Sequence, residues 1–327
     1  MGKIPVRIKK IKEVKNKLYL KANQSFAMMS KETAYVPPIK IQGKKTKLVD
    51  FILKNMPNEY STWVEPFMGS GVVGFNVKPT KAIFADSNPH IINFYNAIKS
   101  KEINHLIVKS FLQEQGKILA KKGQVYYNEV REKFNKEHQP LDFLFLNRSC
   151  FNGMIRFNRQ LKFNVPYGHK PERFAQSYVT RITNQVKHIA FLIENNDWKF
   201  VCQDFRETIK LAKNNDLIYC DPPYIGRHVD YYDSWDEQNE LALEKSLQNS
   251  NAKFMVSTWH SNQYRKNSYL ESLWKNYTII TTAHFYHLGG KEENRNAIME
   301  ALIMNYAVET KQEFKKTPVC QQLAFKI

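Results

Sequence analysis

From Ser61 onward, short apolar runs alternate with stretches of helical period, and this alternation limits the chain to few architectures. "STWVEPF", "KAIFAD", "KFVCQ", "LIYCD" and "KFMVST" have strand length and strand character. Helical patterns lie among them: 45–57 closed by Pro57, Pro89 to Lys99, 178–196, 205–213, 240–248 and Tyr264 to Trp274. Such alternation predicts an α/β fold with a mainly parallel sheet. "YTIITTAHF" and "AIMEALIMNY" follow one another across a short polar loop and are expected to close the sheet as an antiparallel hairpin. Glu102 to Phe134 is helical in pattern but mixed in polarity. Between Asn147 and Arg173 the period breaks into aromatic, basic and asparagine residues.

The charge is one-sided: 49 Lys and Arg against 31 Asp and Glu, a formal +18. A chain this basic is expected to meet a polyanion, with nucleic acid first and an anionic membrane surface second. No run of about 18 apolar residues is present, so no membrane span is expected. The basic start "MGKIPVRIKKIKEV" lacks the apolar core of a secretory signal and the Ser or Thr of a myristoylation motif. Cys150, Cys202, Cys220 and Cys320 are scattered without a C-x-x-C pair, so neither a zinc site nor a disulfide framework is expected. A reducing cytoplasm suits them.

Two motifs point to chemistry. "EPFMGSGVVGFN" follows a strand and opens a helix, and Gly69 and Gly71 allow close approach of the backbone to a ligand. The next strand ends in Asp86, and a carboxylate there can accept bonds from both hydroxyls of a ribose. The loop lacks G-K-[ST], so it does not grip a triphosphate, and a nucleoside without phosphate such as S-adenosylmethionine fits better than NAD or ATP. "LIYCDPPYIGR" places Asp221 at a strand's carboxyl end, where open α/β sheets build their sites. Pro222 and Pro223 fix the backbone and offer carbonyls without N–H groups. The Asp221 carboxylate and the Pro222 carbonyl can converge on one amino group, with the Tyr224 ring stacked on a flat base. This arrangement suits the exocyclic amine of adenine, a poor nucleophile whose lone pair must be freed towards a methyl sulfonium. The bland alternatives, a tight turn and a capped strand end, weaken once the motifs occur together.

"EPFMGSG", "FADSNPHIINFYN", "FLNRSCFNGMIRFN", "FNVPYG", "CQDF" and "YCDPPY" together resemble the Dam-like family of DNA adenine N6-methyltransferases, in the motif order of its α group. The resemblance runs from about Lys40 to the last strand. It implies a Rossmann-like, seven-stranded methyltransferase sheet with a small inserted DNA-recognition module. The implied division is a basic extension over 1–39, a catalytic domain over 40–100 and 175–327, and a recognition domain over 101–174.

By the same resemblance, Asp221, Pro222, Pro223 and Tyr224 are catalytic. Pro66, Phe67, Gly69 and Gly71 surround the methionine part of S-adenosylmethionine, Asp86 its ribose, and Asp204 and Phe205 its adenine. "IKIQGKKTKL" is similar to the family's K-W-x-G-G-K start, with Ile41 for the tryptophan and Lys44 for a glycine. Lys45 matches the lysine near the cofactor and Lys40 the lysine that approaches a base. Arg148 belongs to the basic and aromatic segment expected at the DNA, and Phe151, Asn152, Met154, Arg156 and Pro166 match positions that touch the bases. Arg159, Arg173, Phe157 and Phe163 share that segment, and the loop "HLGGKEENRN" is a second candidate for backbone contact. No metal is implied. The expected partner is double-stranded DNA, met by a monomer that flips its target base, with or without a cognate restriction endonuclease sharing the site. RNA or protein-glutamine methylation, or a DNA-binding relative without activity, are the competing readings.

Overall fold

The computed structural model describes residues 34–43, 45–158, 160–225, 235–262, 264–285 and 297–308. The lysine-rich arm and the loop "HLGGKEENRN", both expected near DNA, lie outside the described residues except for 34–39. Those last residues of the expected extension are already packed. The Tyr35 backbone N–H donates to Asn76 Oδ1 at 2.7 Å, its hydroxyl donates to the Gln185 carbonyl at 2.6 Å, and Ile39 is buried. Tyr35 onward forms one compact unit.

That unit is built on a seven-stranded sheet: β1 (Trp63–Glu65), β2 (Lys81–Asp86), β3 (Asp197–Cys202), β4 (Leu217–Cys220), β5 (Lys253–Ser261), β6 (Thr278–Phe285) and β7 (Ala297–Met304). The spatial order is β3-β2-β1-β4-β5-β7-β6. β1 to β5 pair in parallel, whereas β7 runs antiparallel to both β5 and β6. The mainly parallel sheet and its closing antiparallel pair are therefore as the alternation predicts, with β7 inserted between β5 and β6.

Alternation along the strands feeds two apolar layers. Ile218 and Cys220 join Val64, Ile209, Leu243, Phe254 and Trp274. Tyr219 points the other way and stacks on Trp63, ring centroids 5.4 Å apart. Towards the β3 edge of the sheet, Phe75 packs flat on Trp198 at 5.5 Å, and Phe84 packs on Phe200 at 5.4 Å.

The helices are α1 (Val49–Lys54), α2 (Val72–Val77), α3 (Pro89–Lys99), α4 (His105–Lys122), α5 (Gln124–Glu137), α6 (Pro140–Ser149), α7 (Gln176–Asn195), α8 (Phe205–Lys210), α9 (Glu237–Gln248) and α10 (Tyr269–Ser272). Asn88 starts α3 by accepting from the His90 and Ile91 N–H groups, with Pro89 in its first turn. The pattern over Glu102 to Phe134 is two helices, broken at Gly123 with φ +56°. The helix expected over Tyr264 to Trp274 shrinks to α10, because Lys266 bridges back to Ser261. No expectation covered α6. Its residues from Asp142 to Ser149 are all buried, so the segment has no polar stripe to reveal its period.

Candidate active site

β1 lies between β2 and β4, so strand order reverses there and the loops leaving the carboxyl ends of β1 and β4 diverge around a crevice. The glycine loop leaves β1 and Asp221 leaves β4, while Asp86 ends the neighbouring β2. Gly69 and Gly71 adopt φ +49° and +75°, a region that disfavours side chains, and Gly71 caps α2. A Cβ on Gly71 would also meet the Phe75 ring at 2.4 Å.

The loop is tied to the next strand end. Asp86 Oδ2 accepts the Gly69 N–H and Oδ1 accepts the Asn88 N–H, each at 2.8 Å. Burial pushes the Asp86 carboxyl up, and these two backbone donors pull it back. Beside them, Phe67 stacks on Phe205 at 5.2 Å and meets Trp235 edge-on at 5.5 Å. Asp204 stands next to Phe205 at the start of the following helix. It caps α8 through the Arg206 N–H and pairs with the Arg206 guanidinium at 2.9 Å. That guanidinium lies 4.4 Å over the Phe205 ring. Pro66 joins Glu65 to Phe67.

Across the crevice, Lys45 Nζ lies 2.8 Å from Asp221 Oδ1 and donates to the Tyr224 hydroxyl oxygen at 2.6 Å. The Tyr224 hydroxyl donates in turn to Glu300 Oε2 on β7 at 2.9 Å. Lys45 and Glu300 are buried, and the Asp221 side chain keeps 22% of its surface exposed, so the carboxylate opens towards the crevice. Burial pushes the Asp221 carboxyl up, Lys45 pulls it down and Glu300 pushes it up again. Lys45, expected beside the cofactor, thus sits on the carboxylate and the ring of the D-P-P-Y motif.

Glu300, Glu65 and Trp235 escaped the reading of the sequence. Glu300 was legible as a lone carboxylate inside the apolar strand "AIMEALIM". Glu65 accepts from Trp63 Nε1 at 2.8 Å, and burial drives its carboxyl up to about 8. Trp235 donates from Nε1 to Glu240 at 2.7 Å.

The segment 147–174 brings several expected DNA contacts together and removes one. Asn147 Oδ1 accepts the Lys40 N–H and its amide donates to the Lys40 carbonyl, both at 2.8 Å. Lys40 is thereby fastened beside the turn Phe151–Gly153, where its side chain fills the space over Gly153. Phe151 is half exposed, Asn152 is exposed in a left-handed conformation at φ +53°, Met154 is half-buried and Pro166 is exposed. Arg156 is engaged with Asn164, its Nε donating to Oδ1 at 2.9 Å. Arg148 departs from expectation. It is buried, and its guanidinium donates to the Pro38 carbonyl and to Gln185 Oε1, so it holds the entering chain against α7 instead of facing DNA. Arg173 donates to the Cys150 carbonyl at 2.8 Å, and Phe157 and Phe163 pack on each other. Among the described residues no cluster of His, Cys, Asp or Glu could hold a metal, and no helix is long and apolar enough to cross a membrane.

Residues 42–288 match the family model described as D12 class N6 adenine-specific DNA methyltransferase. The chain is 30% identical over 294 residues to Type II methyltransferase M.FokI of Planomicrobium okeanokoites, covering 86% of this chain and 44% of that one. It is 34% identical over 196 residues to the DNA adenine methylase of Haemophilus influenzae, covering 58% of this chain and 63% of that one. Against Type II methyltransferase M.MjaIII of Methanocaldococcus jannaschii it is 28% identical over 301 residues, covering 83% and 99%. The chain thus spans less than two thirds of the first two relatives and nearly all of the third. With the family model matched from the glycine-loop side of the crevice through the D-P-P-Y motif and beyond, the chain belongs to the D12 class N6 adenine-specific DNA methyltransferases.

Proposed function

We propose that this chain transfers a methyl group from S-adenosylmethionine to N6 of adenine in double-stranded DNA. The observation that carries this reading is the meeting of the glycine loop, Asp86 and Asp221 at the reversal between β1 and β4.

The residues present fit S-adenosylmethionine. Each Asp86 oxygen accepts one backbone N–H and has acceptor capacity left for a ribose hydroxyl. Phe67, Phe205 and Trp235 offer aromatic surface for a base, and the loop "EPFMGSGVVGFN" carries no cation to repel a sulfonium. When bound, S-adenosylmethionine supplies an electrophilic methyl on that sulfonium.

The chain's own residues position the nucleophile. Asp221 and the Pro222 carbonyl accept the two N6 hydrogens, which draws the nitrogen lone pair out of conjugation. Pro223 keeps the motif stiff, and Tyr224 offers its ring face to the adenine. Asp221 takes the proton that N6 releases. Because adenine N6 is paired inside a duplex, the base is flipped into the crevice. Residues 101–174 serve as the recognition module, with Lys40, Phe151, Asn152, Met154, Arg156 and Pro166 as its contacts to bases. The reading carries a cytoplasmic location, and a companion nuclease reading the same site would fit it. Sequencing modified bases in DNA from cells that express the chain tests the proposal. N6-methyladenine in one sequence context is expected, and unmodified DNA alongside methylated RNA or protein would overturn it.

A further inference from the structure

Glu300 lies within β7 between Met299 and Ala301 and is 1% exposed. A carboxylate in such a strand is costly unless it has strong partners. One such partner here is the Tyr224 hydroxyl, which donates to it at 2.9 Å. The same hydroxyl oxygen accepts from Lys45, and Lys45 pairs with Asp221. A continuous chain of contacts therefore runs Asp221–Lys45–Tyr224–Glu300. It spans from the tip of β4 to β7, with β5 lying between those strands.

We propose that Glu300 is a positioning residue for methyl transfer, acting through the Tyr224 hydroxyl to keep the Lys45 ammonium on Asp221 and the tyrosine ring in place. This rests on the reading of Asp221 as the acceptor of the N6 hydrogens. Tyr224 is held at both ends of its hydroxyl, as acceptor from Lys45 and donor to Glu300. An amide in place of the Glu300 carboxylate is a weaker, uncharged acceptor, which loosens the O–H and lets it turn towards Asp221, where it competes with the adenine amine. Glu300 also acts at a distance. Its negative charge raises the Asp221 carboxyl against the pull of Lys45, which sets the pH at which Asp221 loses its charge and not the kcat reached above that pH. Among the described residues, Glu65 on β1 and Tyr219 and Cys220 on β4 also interact electrostatically with Asp221.

The test compares Glu300→Gln, Tyr224→Phe, the double variant and Asp221→Ala by steady-state methyl transfer across pH, with thermal unfolding as a check on folding. Glu300→Gln should lower kcat by about ten- to a hundredfold, the upper end being what a misplacement of about 1 Å can cost, while KM for S-adenosylmethionine stays near that of the wild type. Its acid limb should move to lower pH, because loss of the Glu300 charge lets the Asp221 carboxyl fall. Tyr224→Phe breaks the same link from the other end, so adding Glu300→Gln to it should cost little more in kcat. A Glu300→Gln enzyme with unchanged kcat and acid limb, or losses that multiply in the double variant, would overturn the proposal. An active Asp221→Ala enzyme would instead overturn the catalytic reading itself. If Asp221→Ala is inactive and Glu300→Gln is indifferent, only the role of Glu300 falls.

Discussion

The crevice and the segment 147–174 are both rich in polar side chains, but they spend them differently. At the crevice, charged groups bond to one another: Lys45 to Asp221, Lys45 to Tyr224 and Tyr224 to Glu300. In the segment, several of them bond to the backbone. Asn147 holds both main-chain groups of Lys40, Arg148 holds the Pro38 carbonyl, and Arg173 holds the Cys150 carbonyl. The first arrangement couples side chains to one another, and the second shapes an irregular chain that has no sheet to lean on. A basic residue in such a segment is therefore poor grounds for a DNA contact, and what the scaffold leaves outward is more informative.

Loss of the crevice carboxylate should cost most. Asp221→Ala should lower kcat by about a hundredfold or more while S-adenosylmethionine and DNA still bind, since a positioned acceptor acts mainly in the transition state. Radiolabel transfer under saturating conditions measures it, and substantial residual turnover would take Asp221 out of the mechanism. Asp86→Ala should follow, weakening S-adenosylmethionine by about 1–3 kcal/mol through lost hydrogen bonds to a charged group, with DNA affinity unchanged. Calorimetric titration of each ligand separates the two, and equal losses in both would point to unfolding.

In the segment, Asn147→Ala should act on stability before recognition. It strips partners from the Lys40 N–H and carbonyl and from the Gly153 carbonyl, at a cost of about 1–3 kcal/mol. A shift of the urea midpoint at constant slope would show it. Phe151→Ala should leave that midpoint alone and weaken duplex binding by about 1–3 kcal/mol if the exposed ring stacks on a base. A variant that binds DNA as well as the wild type would remove Phe151 from the interface.

A last effect, read in stability across pH and not in turnover or binding, sits beneath the crevice. Glu65 holds its proton up to about 8 in the folded chain but only up to the ordinary carboxylate range when unfolded. Between those limits the folded state binds more protons, so this group makes stability fall as pH rises. Glu65→Gln should flatten that slope in denaturation curves measured across the window, and an unchanged slope would assign it elsewhere.

The sheet was legible because parallel strands buried on both faces leave short apolar runs, and helices with one polar face leave a period. α6 was not legible, since burial on every side erases its period. The crevice residues were legible where local backbone demands them: glycine at φ +49° and +75°, prolines after a strand, a carboxylate at a strand end. Glu300 was not, because its meaning comes from Tyr224, distant in sequence and brought near only by the insertion of β7 beside β5. Arg148 was misread for the complementary reason: an arginine written among DNA-like neighbours is turned inward by Pro38 and Gln185.

The most direct test of the account is nucleoside mass spectrometry of duplex DNA after incubation with S-adenosylmethionine and either the wild-type chain or Asp221→Ala. N6-methyladenine is expected with the wild type, no other methylated base, and none above background with the variant. Methyl groups on cytosine, or equal N6-methyladenine from both proteins, would contradict it.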